Sequence, residues 1–229
     1  MRRLRDHSLG LFFLGLLLVA LTGQAIAGHS LYNEEERAHA MLAGEEPHPI
    51  SFGRYLTSSD FGQAVMENWQ SEYLQFTLFI LATIWLLQRG SPESKPLDRA
   101  GRETEEYQRI GEHASPSSPR WARARGLRRL LYSNSLLFVM AVIFFGAWFA
   151  HSVTGWTAYN QEQVDHGEAT VSWEAYLNTS NFWESTLQNW QSEFLAVGSM
   201  AVLSIYLRQR GSPESKPVGA PHEATGVEG

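Results

Sequence analysis

The chain has 229 residues, 44% apolar and 18% charged, with a formal net charge of −6 and no cysteine. The lack of thiols excludes disulfide frameworks, thiolate metal sites and cysteine nucleophiles, and the acidic balance argues against a nucleic-acid partner. The apolar residues are gathered in four runs parted by polar stretches, a pattern expected of membrane spans rather than of one soluble core.

The first run covers about 9–27 (LGLFFLGLLLVALTGQAIA), and the second covers about 71–87. The third covers about 130–150, ending in VIFFGAWFA, and the fourth about 192–207. A helix needs about 20 residues to cross a bilayer core, and backbone groups in lipid must be paired internally, so all four are predicted as helices. A cleavable leader is the competing reading of the first run, because a basic start precedes it and Ala25-Ile26-Ala27 resembles a cleavage site. Retention is favoured: the run exceeds the usual leader length and is repeated inside the chain, where no leader can lie.

Positive residues near short loops are retained on the cytoplasmic side. Arg2, Arg3 and Arg5 precede the first run, ten Lys and Arg residues lie between 88 and 130, and Arg208, Arg210 and Lys216 follow the fourth run. Residues 28–70 hold only Arg37 and Arg54, and 151–190 hold none. Both termini are therefore expected in the cytoplasm.

A duplication organises the chain. With a shift of 121 residues, NWQSEYL at 68–74 falls on NWQSEFL at 189–195, and QRGSPESKP at 88–96 falls on its exact copy at 209–217. Upstream the shift becomes 127, pairing Tyr32-Asn33 with Tyr159-Asn160 and His39 with His166, so the first copy carries six extra residues near 41–50. Each copy holds two spans, so both enter from the same side and the repeats are parallel, unlike the inverted repeats of many secondary transporters. The predicted fold is all-α: an integral-membrane four-helix bundle of two tandem helical hairpins. The first hairpin repeat occupies 1–96, a mobile cytoplasmic linker 97–125, the second repeat 126–217 and a disordered tail 218–229.

Three duplicated motifs are candidates for function. In NWQSE, Asn68 and Glu72 share a helical face, as do Asn189 and Glu193. With Gln70 and Gln191 they form a polar intramembrane set, read first as interhelical hydrogen bonding and second as a proton or cation site built on paired Glu72 and Glu193. In YNEEERAH and YNQEQVDH, Glu35 with His39 and Glu162 with His166 stand four apart, a weak pattern for a metal shared by both copies; a solvated acidic helix end is the favoured alternative. In QRGSPESKP, Arg89 and Arg210 are expected in the last helical turn, with Gly90 and Gly211 just beyond it. Together with Lys95, Lys216, Trp121, Arg128 and Arg129, those arginines are candidates for contact with anionic headgroups or a partner.

At NWQSEYLQF, QRGSPESKP, YNEEERAH and FGRYL the chain resembles an uncharacterised family of bacterial four-span membrane proteins carrying the same duplicated patterns. The resemblance spans about Arg2 to Pro217 and implies the topology and an inner-membrane location, but no activity. The chain has no phosphate-binding loop, HExxH helix or nucleophile elbow. The expectation is a non-enzymatic multi-pass protein, without a cofactor, acting through the bilayer, anionic headgroups, a second copy or a protein partner. A small proton or cation conductor is the second reading, and a metal or redox bundle the third.

Overall fold

The computed structural model describes residues 2–227. Residues 228 and 229 of the expected tail lie outside the described residues, as do the side chains of Arg2 and Arg3. Among the described residues the regular structure is entirely helical. The four long helices are α2 (Ser8–Ala43), α4 (Ser59–Ala82), α6 (Ser135–Asp165) and α8 (Ser180–Tyr206). Short helices α1 (Arg2–Asp6), α3 (Phe52–Tyr55), α5 (Leu127–Ser133) and α7 (Trp173–Tyr176) accompany them.

Among the described residues two helices, α2 and α6, are long and apolar enough to cross a membrane. Most of their apolar side chains are bare: Leu9 and Val19 are each 72% exposed, and Phe149 is 61% exposed. The helices α4 and α8 do not meet the same criterion, since NWQSE places polar side chains in the middle of each.

The helix ends differ from those expected, for local reasons. At about 1.5 Å per residue, α2 is about 54 Å long, well beyond a bilayer core of about 30 Å. It continues through YNEEERAH to Gly44, whose φ of 74° closes the helix in the left-handed conformation glycine tolerates. The second run stops at Ala82 rather than at 87, where the Thr83 hydroxyl donates to the carbonyls of Phe79 and Ile80. The third run is broken at Asn134, whose amide donates to the Leu130 carbonyl at 2.7 Å, so α6 starts only at Ser135. Arg89 and Gly90 therefore lie beyond the end of α4 instead of capping it. The starts of α4 and α8 are equivalent: Ser58 accepts from the Phe61 N–H and Thr179 from the Phe182 N–H.

The contacts divide the chain into two compact units, one of residues 1–65 and 152–173, the other of 66–151 and 174–229. In the first unit, buried Tyr55 packs beside His29, Tyr32 and Phe61, at ring-centroid distances of 5.9, 6.0 and 5.6 Å. Gly28 leaves room for it, since a Cβ there would overlap the Tyr55 hydroxyl. The same unit contains a duplicated clamp. Asn33 accepts from the Ile50 N–H at 2.8 Å and donates to the Ile50 carbonyl at 3.1 Å; Asn160 does the same to Val171 at 2.8 and 2.9 Å. A second donor joins each carbonyl at 2.8 Å, the ring of His29 at Ile50 and the indole of Trp156 at Val171. The clamped residues are 17 apart in the first copy and 11 in the second, so the six-residue insertion is absorbed in a loop whose two ends keep the same bonds.

In the second unit the core joins α6 to α8. Phe144 stacks on Trp148 at 6.0 Å, Trp148 lies 6.4 Å from Trp190, and His151 stacks on Phe182 at 5.7 Å. Phe182 and Tyr176 are fully buried against each other at 5.5 Å. Such aromatic pairs add about 0.5–1.5 kcal/mol each beyond the area they bury.

Candidate functional site

The NWQSE segments lie on α4 and α8 and meet through groups of both copies. The indole of Trp190 donates to Gln70 Oε1 at 2.6 Å, and Asn189 donates to Glu67 Oε1 at 2.7 Å and to the Ser185 carbonyl at 2.9 Å. Gln70 is wholly buried, and its Nε2 has no partner among the described residues. The Gln70–Trp190 and Glu67–Asn189 bonds join residues about 120 positions apart, one on α4 and one on α8.

The two copies are used differently. Gln70 is buried while its counterpart Gln191 is exposed, and Glu67 has the neutral Gln188 as its counterpart. Asn68 and Glu72 are exposed, and Glu193 is half-buried.

The YNEEERAH segment and its copy YNQEQVDH come together only in part. The rings of His39 and His166 meet with centroids 6.3 Å apart, and both residues are exposed. The Nδ1 of His166 contacts the backbone carbonyl of Glu162 at 2.9 Å. Glu35 and Glu162 are exposed, and among the described residues no three His, Asp or Glu side chains gather as metal binding requires.

The QRGSPESKP segments fold identically and then diverge. In each, a serine hydroxyl accepts from the glutamine N–H, Ser94 from Gln88 at 3.0 Å and Ser215 from Gln209 at 2.9 Å. Gly90 and Gly211 both have φ of 84°. The lysines then capture different segments. Lys95 donates to the Gly101 carbonyl at 2.8 Å and pairs with Glu103 at 2.5 Å, and its hydrogen bond holds the Glu103 carboxyl below the usual range. Lys216 is buried, with its Nζ donating to the carbonyls of Gly90 at 2.5 Å, His222 at 2.8 Å, Ala224 at 3.2 Å and Pro221 at 3.3 Å. Burial pulls its ammonium below the ordinary value, with Arg208 adding repulsion. The tail is strapped to the first copy by two more bonds, Gly90 N–H to Thr225 Oγ1 at 2.8 Å and Gly226 N–H to the Ser91 carbonyl at 3.0 Å.

Of the expected headgroup contacts, Arg89, Arg210, Arg128 and Trp121 are exposed, and Trp121 lies 6.3 Å from Tyr132. Lys216 is turned inward, and Arg129 pairs with both oxygens of Glu105, at 2.9 and 3.1 Å. Sequence reasoning missed Asn33, Asn160 and Glu67 as bonded groups. A signal for the asparagines existed: they align at the shift of 127 while Ile50 and Val171 align at 121, so the change of register falls between the clamped residues.

A family described as a domain of unknown function (DUF6766) matches residues 1–227. No curated protein and no solved structure matches the chain.

Proposed function

Since the chain belongs to that family, whose description names no activity, we propose from its residues that it is a non-enzymatic multi-pass protein of the bacterial inner membrane. Its four long helices form two tandem parallel hairpins, with both termini cytoplasmic, and it acts through contacts with lipid or protein. The observation that carries the reading is the bare apolar surface of α2, where Leu9, Phe12, Phe13 and Val19 are each at least 60% exposed. In water such a surface is unfavourable by about 25 cal/mol per Å², whereas lipid or an apolar partner removes the penalty. The NWQSE groups support a holding role, because Gln70, Trp190, Glu67 and Asn189 engage one another.

The absence of cysteine makes the topology directly testable. Single cysteines at Glu45, Glu106 and Glu168 are treated in intact cells with a membrane-impermeant maleimide. Glu45→Cys and Glu168→Cys label at once, and Glu106→Cys labels only after the membrane is opened. Labelling of all three in intact cells, or recovery of the chain in the soluble fraction, overturns the reading.

Proton or cation conduction through Glu72 and Glu193 is the second reading, favoured by the recurrence of a glutamate at the same place of NWQSE on α4 and on α8. Flux in sealed proteoliposomes that disappears in both Glu72→Gln and Glu193→Gln supports it; wild-type flux equal to that of empty vesicles refutes it.

A further inference from the structure

The polar linker and the start of α6 line a cavity of about 980 Å³ that is open to solvent, at the upper end of the range of small-molecule sites. Four cations line it: Lys95, Arg102, Arg109 and Arg129. Two carboxylates line it as well, but each is already engaged, Glu103 by Lys95 and Glu105 by Arg129. Arg102 and Arg109 are exposed, and their side chains make no ion pair or hydrogen bond among the described residues, so the pocket presents two guanidinium groups available to an anion. Arg109 is also the one non-glycine residue among those described with a positive φ, 52°, a conformation that costs free energy and tends to persist at functional positions.

The same lining supplies neutral donors and an apolar exit. The Ser115 hydroxyl lies 2.9 Å from that of Ser117 and 3.1 Å from that of Ser118. Leu130 and Tyr132 line the side toward α6, whose first residue, Ser135, also borders the cavity. Next to the cavity, α5 exposes Leu127, Leu130 and Leu131 beside Trp121, the composition of a segment at a membrane surface.

We propose that this cavity binds a phosphate ester, with Arg102 and Arg109 as its principal ligands, and that the ester is the headgroup of an anionic phospholipid whose chains leave past Leu130 and Tyr132. Guanidinium groups suit phosphate because their paired N–H donors match two of its oxygens. The proposal rests on the membrane reading above and specifies the lipid that reading invokes.

The test uses the full chain, delipidated in neutral detergent and titrated with phosphatidylglycerol, phosphatidylcholine or inorganic phosphate, with bound species counted by native mass spectrometry. Phosphatidylglycerol binds at one molecule per chain and phosphatidylcholine does not. In Arg102→Gln/Arg109→Gln, binding weakens by about 25-fold, roughly 5-fold for each charge, while Arg102→Lys/Arg109→Lys retains most of it. Arg125→Gln, outside the cavity lining, leaves binding unchanged, and circular dichroism establishes that the variants keep their helices. Inorganic phosphate that binds with the same dependence on Arg102 and Arg109 when the lipid does not bind supports the phosphate site and overturns its lipid source. Equal binding of phosphatidylglycerol by the wild type and the glutamine variant overturns the proposal. Flotation with vesicles is scored separately, so a chain that fails to float refutes the membrane reading independently of the phosphate result.

Discussion

Replacing Asn33 with alanine removes both bonds to Ile50 and leaves the Ile50 N–H, which has no other partner among the described residues, without an acceptor. Asn33 is buried, so water does not reach its place freely. The His29 ring remains to hold the Ile50 carbonyl at 2.8 Å, which confines the loss chiefly to the N–H. An unsatisfied buried donor costs about 1–3 kcal/mol, which corresponds to roughly 5- to 150-fold faster amide exchange if local opening controls it. Hydrogen exchange read by mass spectrometry on peptides covering 45–56 and 167–177 measures this in both copies. Asn33→Ala speeds exchange at Ile50 and leaves Val171 unchanged; Asn160→Ala does the converse. Asn33→Asp, which keeps the acceptor at the same position, preserves most of the protection. Unaltered exchange at Ile50 in Asn33→Ala would refute the clamp, and equal acceleration of both loops by either variant would refute its independence in the two copies.

Three further outcomes follow from the same contacts. Glu67→Ala removes the acceptor of the Asn189 amide and weakens the contact of α4 with α8 by about 0.5–1.5 kcal/mol. Thermal midpoints in detergent should therefore fall in Glu67→Ala and less so in Glu67→Gln, and an unchanged midpoint in Glu67→Ala would remove Glu67 from the account. Lys216→Met withdraws the ammonium from four carbonyls and weakens tail docking by about 1.5–3 kcal/mol. Limited proteolysis should then cut within 218–227 in the variant before the wild type, and equal rates would show that the strap does not depend on this lysine. Gly28→Ala forces its methyl group into the Tyr55 hydroxyl and destabilises by about 1–3 kcal/mol. Adding Tyr55→Phe should recover part of that loss, and strict additivity in the double-mutant cycle would place the strain elsewhere.

Periodicity and repetition made much of the fold legible from the residues alone. The helical class, the duplication and the six-residue insertion were all visible, because a shared offset between copies needs no three-dimensional information. The ends of the long helices were not, since they depend on individual side chains: Thr83 and Asn134 return their polar groups to nearby carbonyls and interrupt apolar runs that composition alone would extend.

The candidate polar set divides along the same line. Gln70, Glu72, Asn189 and Glu193 could be singled out because polar residues within an apolar run are costly unless paired. Their partners could not, because repeated sequence specifies equivalent positions without specifying equivalent packing; only the tertiary structure buries Gln70 against Trp190 and leaves Gln191 exposed. The two lysines of QRGSPESKP make the same point. Their flanking residues are identical, yet Lys95 meets a carboxylate and Lys216 a cage of backbone carbonyls. Every residue carries a carbonyl, so no residue type in the sequence marks such a cage, and the fate of each lysine was decided by where the chain beyond its motif returns.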